Sequence, residues 1–159
     1  MIHIDFLADH PELVHTLAEW FRIQWAVYYA SQTFEEVATE LSEGTNREHI
    51  PIRLVALEDE KLAGTIILRH LADPSDPACS PGLGGLLVCT DLRRRGIGTL
   101  LIEAGTHLAA DLGYAEVFAT SGPASSILEY LGWQQLKTVV HGDEVLGMWR
   151  KKIEKSDER

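Results

Sequence analysis

Residues 83–101 constrain this chain more than any other stretch. The run Leu83-Gly-Gly-Leu-Leu-Val-Cys89 is an apolar strand, Thr90 to Arg95 is a basic turn, and Gly96-Ile-Gly-Thr-Leu-Leu101 opens a long amphipathic helix. The first amides of a helix have no internal acceptor, and the helix dipole adds partial positive charge there. Gly96 and Gly98 bring no Cβ to block a close ligand. Arg93, Arg94 and Arg95 add charge at the same place. Such a turn is either an ordinary basic helix start or a phosphate cradle built mostly from backbone.

Known phosphate fingerprints narrow the choice. No Gly-Lys-Ser/Thr follows the turn, so the Walker pattern fails. The dinucleotide pattern would need glycine where Leu101 or Leu87 stands. What remains is Arg-x-x-Gly-x-Gly at a strand-to-helix turn.

The rest of the chain supplies the context. Ile2 to Phe6 alternates as a first strand. Asp9 and Glu12 form a capping-box pattern for a helix carrying Leu13, Leu17, Trp20, Phe21, Trp25 and Tyr28 at helical spacing. Thr33 and Glu36 repeat the pattern ahead of a short helix that ends at Gly44. Pro51–Leu57 and Leu62–Leu71 read as strands joined by a tight turn, and the proline-rich stretch Asp73–Gly82 reads as a loop. After the long helix come a strand at Ala115–Ala119 and a short helix at Pro123–Leu131. Two strands, Trp133–His141 and Glu144–Arg150, then meet at Gly142-Asp143. This order predicts an α/β (α+β) fold: a mixed, mostly antiparallel twisted sheet with helices on both faces. The strand–helix–strand unit at 83–119 would be a right-handed crossover. One domain over 1–152 is expected, with 153–159 a charged tail.

Composition removes several function classes. The 159 residues are 45% hydrophobic and 24% charged, as in globular proteins. No apolar run is long enough to span a membrane, and the start lacks the pattern of a signal peptide. Cys79 and Cys89 suit neither a disulfide framework nor a metal site. A cytoplasmic protein without metal is therefore expected. The net charge is −10, and residues 1–60 hold 12 acids against 3 bases. No basic face for nucleic acid is visible. The acidic first third tilts the choice of partner toward a cationic one.

The run 83–101, the helix to Gly113, and the later Leu131-Gly132-Trp133 together resemble the GNAT superfamily of N-acetyltransferases, over about residues 2–152. The resemblance implies the GNAT-like acyl-CoA N-acyltransferase fold, with acetyl-CoA as co-substrate. It implies that Arg93 and the amides of Arg94, Arg95, Gly96, Ile97, Gly98 and Thr99 hold the pyrophosphate. The strand Leu86, Leu87 and Val88 would splay from Val117–Ala119 and pair with the pantetheine arm, because its free peptide groups need partners. An amide of this strand would also serve the oxyanion.

The acceptor would be a primary amine of a small molecule or peptide. The acidic first third favours a cationic one such as a polyamine or aminoglycoside. Trp25, Tyr28 and Tyr29, where the family shapes its acceptor site, and His70, at the end of the third strand, are the acceptor-site candidates. A homodimer is compatible with the sequence. No general base can be named. Leu128 stands where the family often has a thiolate-protonating tyrosine, and Tyr130, about 200° further round the helix, does not replace it. The loss of that hydroxyl motivates the alternative of an acyl-CoA-binding regulatory module without turnover.

Overall fold

The computed structural model describes residues 1–122 and 124–153. Pro123, the expected start of the last helix, and residues 154–159 of the tail lie outside the described residues. Among the described residues, seven strands form one sheet: β1 Ile2–Phe6, β2 Ile52–Glu58, β3 Lys61–Arg69, β4 Gly82–Val88, β5 Glu116–Ser121, β6 Gln134–His141 and β7 Glu144–Lys152. Their order is β1-β2-β3-β4-β5-β7-β6. Every neighbouring pair is antiparallel except β4 and β5. Four α-helices, α1 Val14–Gln24, α2 Phe34–Ser42, α3 Ile97–Asp111 and α4 Ser125–Tyr130, cover the two faces. This is the predicted element order.

β2 shows why both faces are apolar. Successive side chains of a strand point to opposite sides. Ile52, Leu54 and Ala56 pack with Ile97 and Leu101 of α3 and Leu128 of α4. Val55 and Leu57 pack with Leu17 and Phe21 of α1 and Val37 and Leu41 of α2. Burying one such Leu contributes roughly 1.5–3 kcal/mol. A third, smaller cluster sets Ala72, just ahead of the proline-rich loop, and Cys79, within it, against Phe118 and Met148.

The capping box at Thr33 forms as expected. The Thr33 hydroxyl accepts from the Glu36 amide at 3.1 Å, and the Glu36 carboxylate accepts from the Thr33 amide at 2.8 Å. The box expected at Asp9 does not form. The chain makes short 3-10 turns at Leu7–Asp9 and Pro11–Leu13, and α1 starts only at Val14. Asp9 is taken by an ion pair with Arg47, and charge-assisted bonding outcompetes a local cap. α1 also stops early, at Gln24, so Tyr28 is not on it.

Candidate active site

The turn between β4 and α3 leaves helix-head amides without partners, as an anion cradle would need. After Val88 the chain passes through a short 3-10 turn, Thr90–Leu92. Arg94 (φ 67°) and Gly96 (φ 82°) are then both left-handed. Non-glycine residues avoid that region, so Arg94 marks a locally strained bend. Alternating backbone of this kind turns consecutive N–H groups to one side. The first bond of α3 runs from the Leu100 amide to the Gly96 carbonyl at 3.0 Å. Among the described residues, the amides of Gly96, Ile97, Gly98 and Thr99 have no acceptor. Residues 93–96 are exposed, and a Cβ built on Gly96 would meet nothing within 4 Å. The cradle is open.

The three arginines have different employments. Arg93 Nε donates to the Val88 carbonyl at 3.0 Å, which folds its side chain back over the end of β4. Arg95 makes two bonds to the Glu58 carboxylate, at 3.1 and 2.7 Å, tying the bend to the β2–β3 hairpin. These bonds hold Glu58 below its ordinary value and Arg95 above it. Arg94 has no ion pair among the described residues.

Beside the cradle the sheet comes apart. β4 and β5 pair only at Gly82↔Phe118 and Leu83↔Ala119. The splay expected at Leu86–Val88 is present. Its position is corrected at the other strand, because Phe118 and Ala119 are the joined residues and the separation lies beyond them. On its other side β4 bulges. Ile67 faces Gly84 and Thr65 faces Leu87, while Gly85, with φ +59°, and Leu86 have no register partner. A bulge leaves peptide groups outside the ladder, and these need partners. Gly98 sets the head of α3 close to this edge. A Cβ there would lie 3.6 Å from Ile127, 3.8 Å from Leu86 and 4.0 Å from Val88.

A hollow of about 190 Å³ lies against this end of β4, between Trp20 and Gln24 of α1 and Leu87, Val88, Thr90 and Arg93. A larger one, about 420 Å³, lies along α1 among Glu19, Arg22, Ala26 and Tyr29. Its lining includes neither the β4–α3 turn nor β4, whereas the smaller hollow touches both.

The acceptor-site candidates do not form one group. Tyr29 is buried against Phe21, with ring centroids 6.4 Å apart. Its hydroxyl lies 3.5 Å from the Glu40 carboxylate, and burial pushes its pKa up to about 12. Trp25 is half-buried, edge-on to Phe21 at 4.9 Å. Tyr28 packs edge-on against Tyr29 at 4.7 Å and is otherwise exposed. His70 is exposed just past Arg69, which pairs with Gly82 at the joined end of β4. Leu128 is buried in the α3 core and Tyr130 is exposed.

Two residues the sequence reading passed over stand at the bulge. Arg53 is 4% exposed, with its guanidinium 4.9 Å above the Phe21 ring. Its Nη1 donates to the Thr65 hydroxyl at 3.2 Å, and its Nε is buried with no partner among the described residues. Arg69 Nε donates to the Leu71 carbonyl at 3.2 Å. Burial lowers both pKa values, that of Arg53 to about 10, so Arg53 stays charged at neutral pH. The only signal available in the sequence was an arginine inside the apolar run Ile52–Leu57.

The model of the Acetyltransferase (GNAT) family matches residues 14–127. The chain belongs to the GNAT family of acetyltransferases. No curated protein matches the sequence.

Solved structures share the fold at low identity. An aminoglycoside 6'-N-acetyltransferase complexed with coenzyme A has a TM-score of 0.76 at 19% identity, over 99% of both chains. The aminoglycoside 6'-N-acetyltransferase from Enterococcus faecium has a TM-score of 0.73 at 17% identity, over 98% of this chain and 99% of that one. A PaiA N-acetyltransferase from Thermoplasma acidophilum, in complex with coenzyme A, has a TM-score of 0.65 at 20% identity, over 96% and 99%.

Proposed function

We propose that this protein transfers an acetyl group from acetyl-CoA to a primary amine within a ternary complex. The observation that carries the reading is the set of free amides at Gly96–Thr99, with open space over Gly96, at the head of α3 beside the unpaired edge of β4. Those amides, with Arg93 and Arg94, suit the pyrophosphate of coenzyme A. The backbone of Leu86, Leu87 and Val88 suits the pantetheine arm. Bound there, acetyl-CoA supplies an activated acyl carbon. The unladdered peptide at Gly85–Leu86 offers an N–H for the oxyanion. The amine nitrogen bonds to the acyl carbon as the carbon–sulfur bond breaks, and the proton it gives up balances the one the departing sulfur takes. With Leu128 in the core, water supplies that proton, which a thiol of pKa ~8.5 tolerates.

Gly96→Glu and Gly98→Glu put bulk and negative charge into the cradle. Calorimetry with coenzyme A is expected to show binding abolished in a protein that keeps its circular dichroism spectrum. Wild-type-like affinity in both variants would overturn the assignment. The buried Leu128 favours one second reading, a coenzyme A-binding module without turnover. It predicts tight binding and no thiol release with any amine.

A further inference from the structure

Arg53 and Arg69 lie on the α1–α2 face of the sheet, directly over the bulge. Arg53 faces Ile67 across the β2–β3 ladder, and Arg69 follows two residues later on the same face. The bulge glycines make their room. A Cβ on Gly84 would lie 2.4 Å from Arg69 Nη2, and one on Gly85 would lie 3.6 Å from both Nη atoms of Arg53. Any larger residue at 84 would displace the Arg69 guanidinium. Among the described residues, no carboxylate lies within 4 Å of either arginine. Two guanidiniums partly or wholly out of water and close together, with the Glu40 carboxylate acting on Arg53 only from beyond ion-pair distance and bonded instead to the Tyr29 hydroxyl, are costly to keep. The cation–π contact with Phe21 and the Thr65 hydroxyl offset that cost only in part and leave Arg53 Nε unsatisfied.

We infer that Arg53 and Arg69 form an anion subsite for the acceptor, so that the amine acetylated here belongs to a molecule that also carries a carboxylate. This deepens the acetyl-transfer reading and rests on it. Planar guanidiniums match a carboxylate with paired hydrogen bonds. The phosphates of coenzyme A do not need this pair, because the cradle for them is at the head of α3, on the opposite face of the sheet. The anion that would pair directly with both guanidiniums is therefore assigned to the other reactant. Gly84, Gly85, Leu86 and Arg69 are partly exposed while Arg53 is 4% exposed, so an acceptor would come to Arg53 from the Arg69 side. Tyr29 lies close enough to both arginines, and Tyr28 to Arg69, to act on their charge, which joins two of the expected acceptor-site residues to the subsite. The same positive charge disfavours an ammonium beside it and so favours the neutral, attacking amine. It also opposes the polycationic acceptors that the acidic first third suggested.

The test uses acceptor pairs that differ only in the anion: amino acids and dipeptides against their C-terminal amides, with a polyamine and an aminoglycoside completing the panel. Thiol release by the wild type is expected to favour the acid over its amide by at least about tenfold in kcat/KM. Arg69→Gln should level that preference and leave the affinity for coenzyme A unchanged. Arg53→Met, which keeps an apolar stem over Phe21, should level it too. Equal rates for acid and amide, a preference for the polyamine or aminoglycoside, or an undiminished preference in Arg69→Gln would overturn the subsite while leaving acetyl transfer standing. Titration of N-acetylamino acids and their amides into the coenzyme A-loaded protein reads the subsite without turnover. Carboxylate-dependent binding there, with no amine acetylated, would keep the subsite and sink the transfer reading.

Discussion

Single residues show what local reading can and cannot reach. His10 Nε2 lies 2.8 Å from the Asp5 carboxylate, and that hydrogen bond raises the histidine pKa above its ordinary value. The sign follows from linkage: a raised pKa means the folded state holds its proton more tightly than the unfolded chain. The contribution is complete below pH ~6.5, the unfolded value, and is lost as pH climbs through the higher folded value. Melting temperature is therefore expected to fall from pH 6 to pH 8 more in the wild type than in His10→Gln. An NMR titration should place the His10 midpoint above that of a free histidine. Equal pH slopes would show that the bond contributes nothing. Arg93 to Arg95 were legible as a cluster, but their division of labour was not. Glu58, which takes up Arg95, lies 37 residues away and meets it only through the folded hairpin.

Elements were read best where their signals were local. Thr33 and Glu36 satisfy each other within one turn, and the helix they start is where the pattern puts it. Asp9 and Glu12 spell the same pattern and failed, because Arg47 arrives from outside it. The β2–β3 turn was likewise visible, though its residues suit it poorly. Asp59 (φ 52°) and Glu60 (φ 72°) are both left-handed, as in the tight turn that Asn-Gly prefers. The double change Asp59→Asn, Glu60→Gly should stabilise the protein by about 1 kcal/mol, chiefly by removing strain at Glu60. A urea midpoint that fails to rise would show the strain to be relieved elsewhere. The Asp59 contact with the N-terminus is almost wholly exposed and is not a significant loss.

At the scale of the molecule, the order of elements and the basic bend were legible, because periodicity and glycine placement are written along the chain. The paired arginines were not. Arg53 and Arg69 are 16 residues apart in sequence, and they meet Gly84 and Gly85 only through strand register and the bulge. The open seam belongs to the same class of information, since it depends on where a parallel pairing stops. That seam has a mechanical consequence. With two registered pairs between them, strands β1–β4 and β5–β7 are two leaves of a book, bound by a short stitch and by the helices laid across the spine. A guest slipped between the pages would fasten both leaves at once. Hydrogen exchange should then slow at Leu86–Val88 and at Thr120–Ser121 together when coenzyme A is added, while Leu83 and Ala119, already stitched, change little. Slowing on one leaf alone would mean that the guest lies outside the fold of the pages.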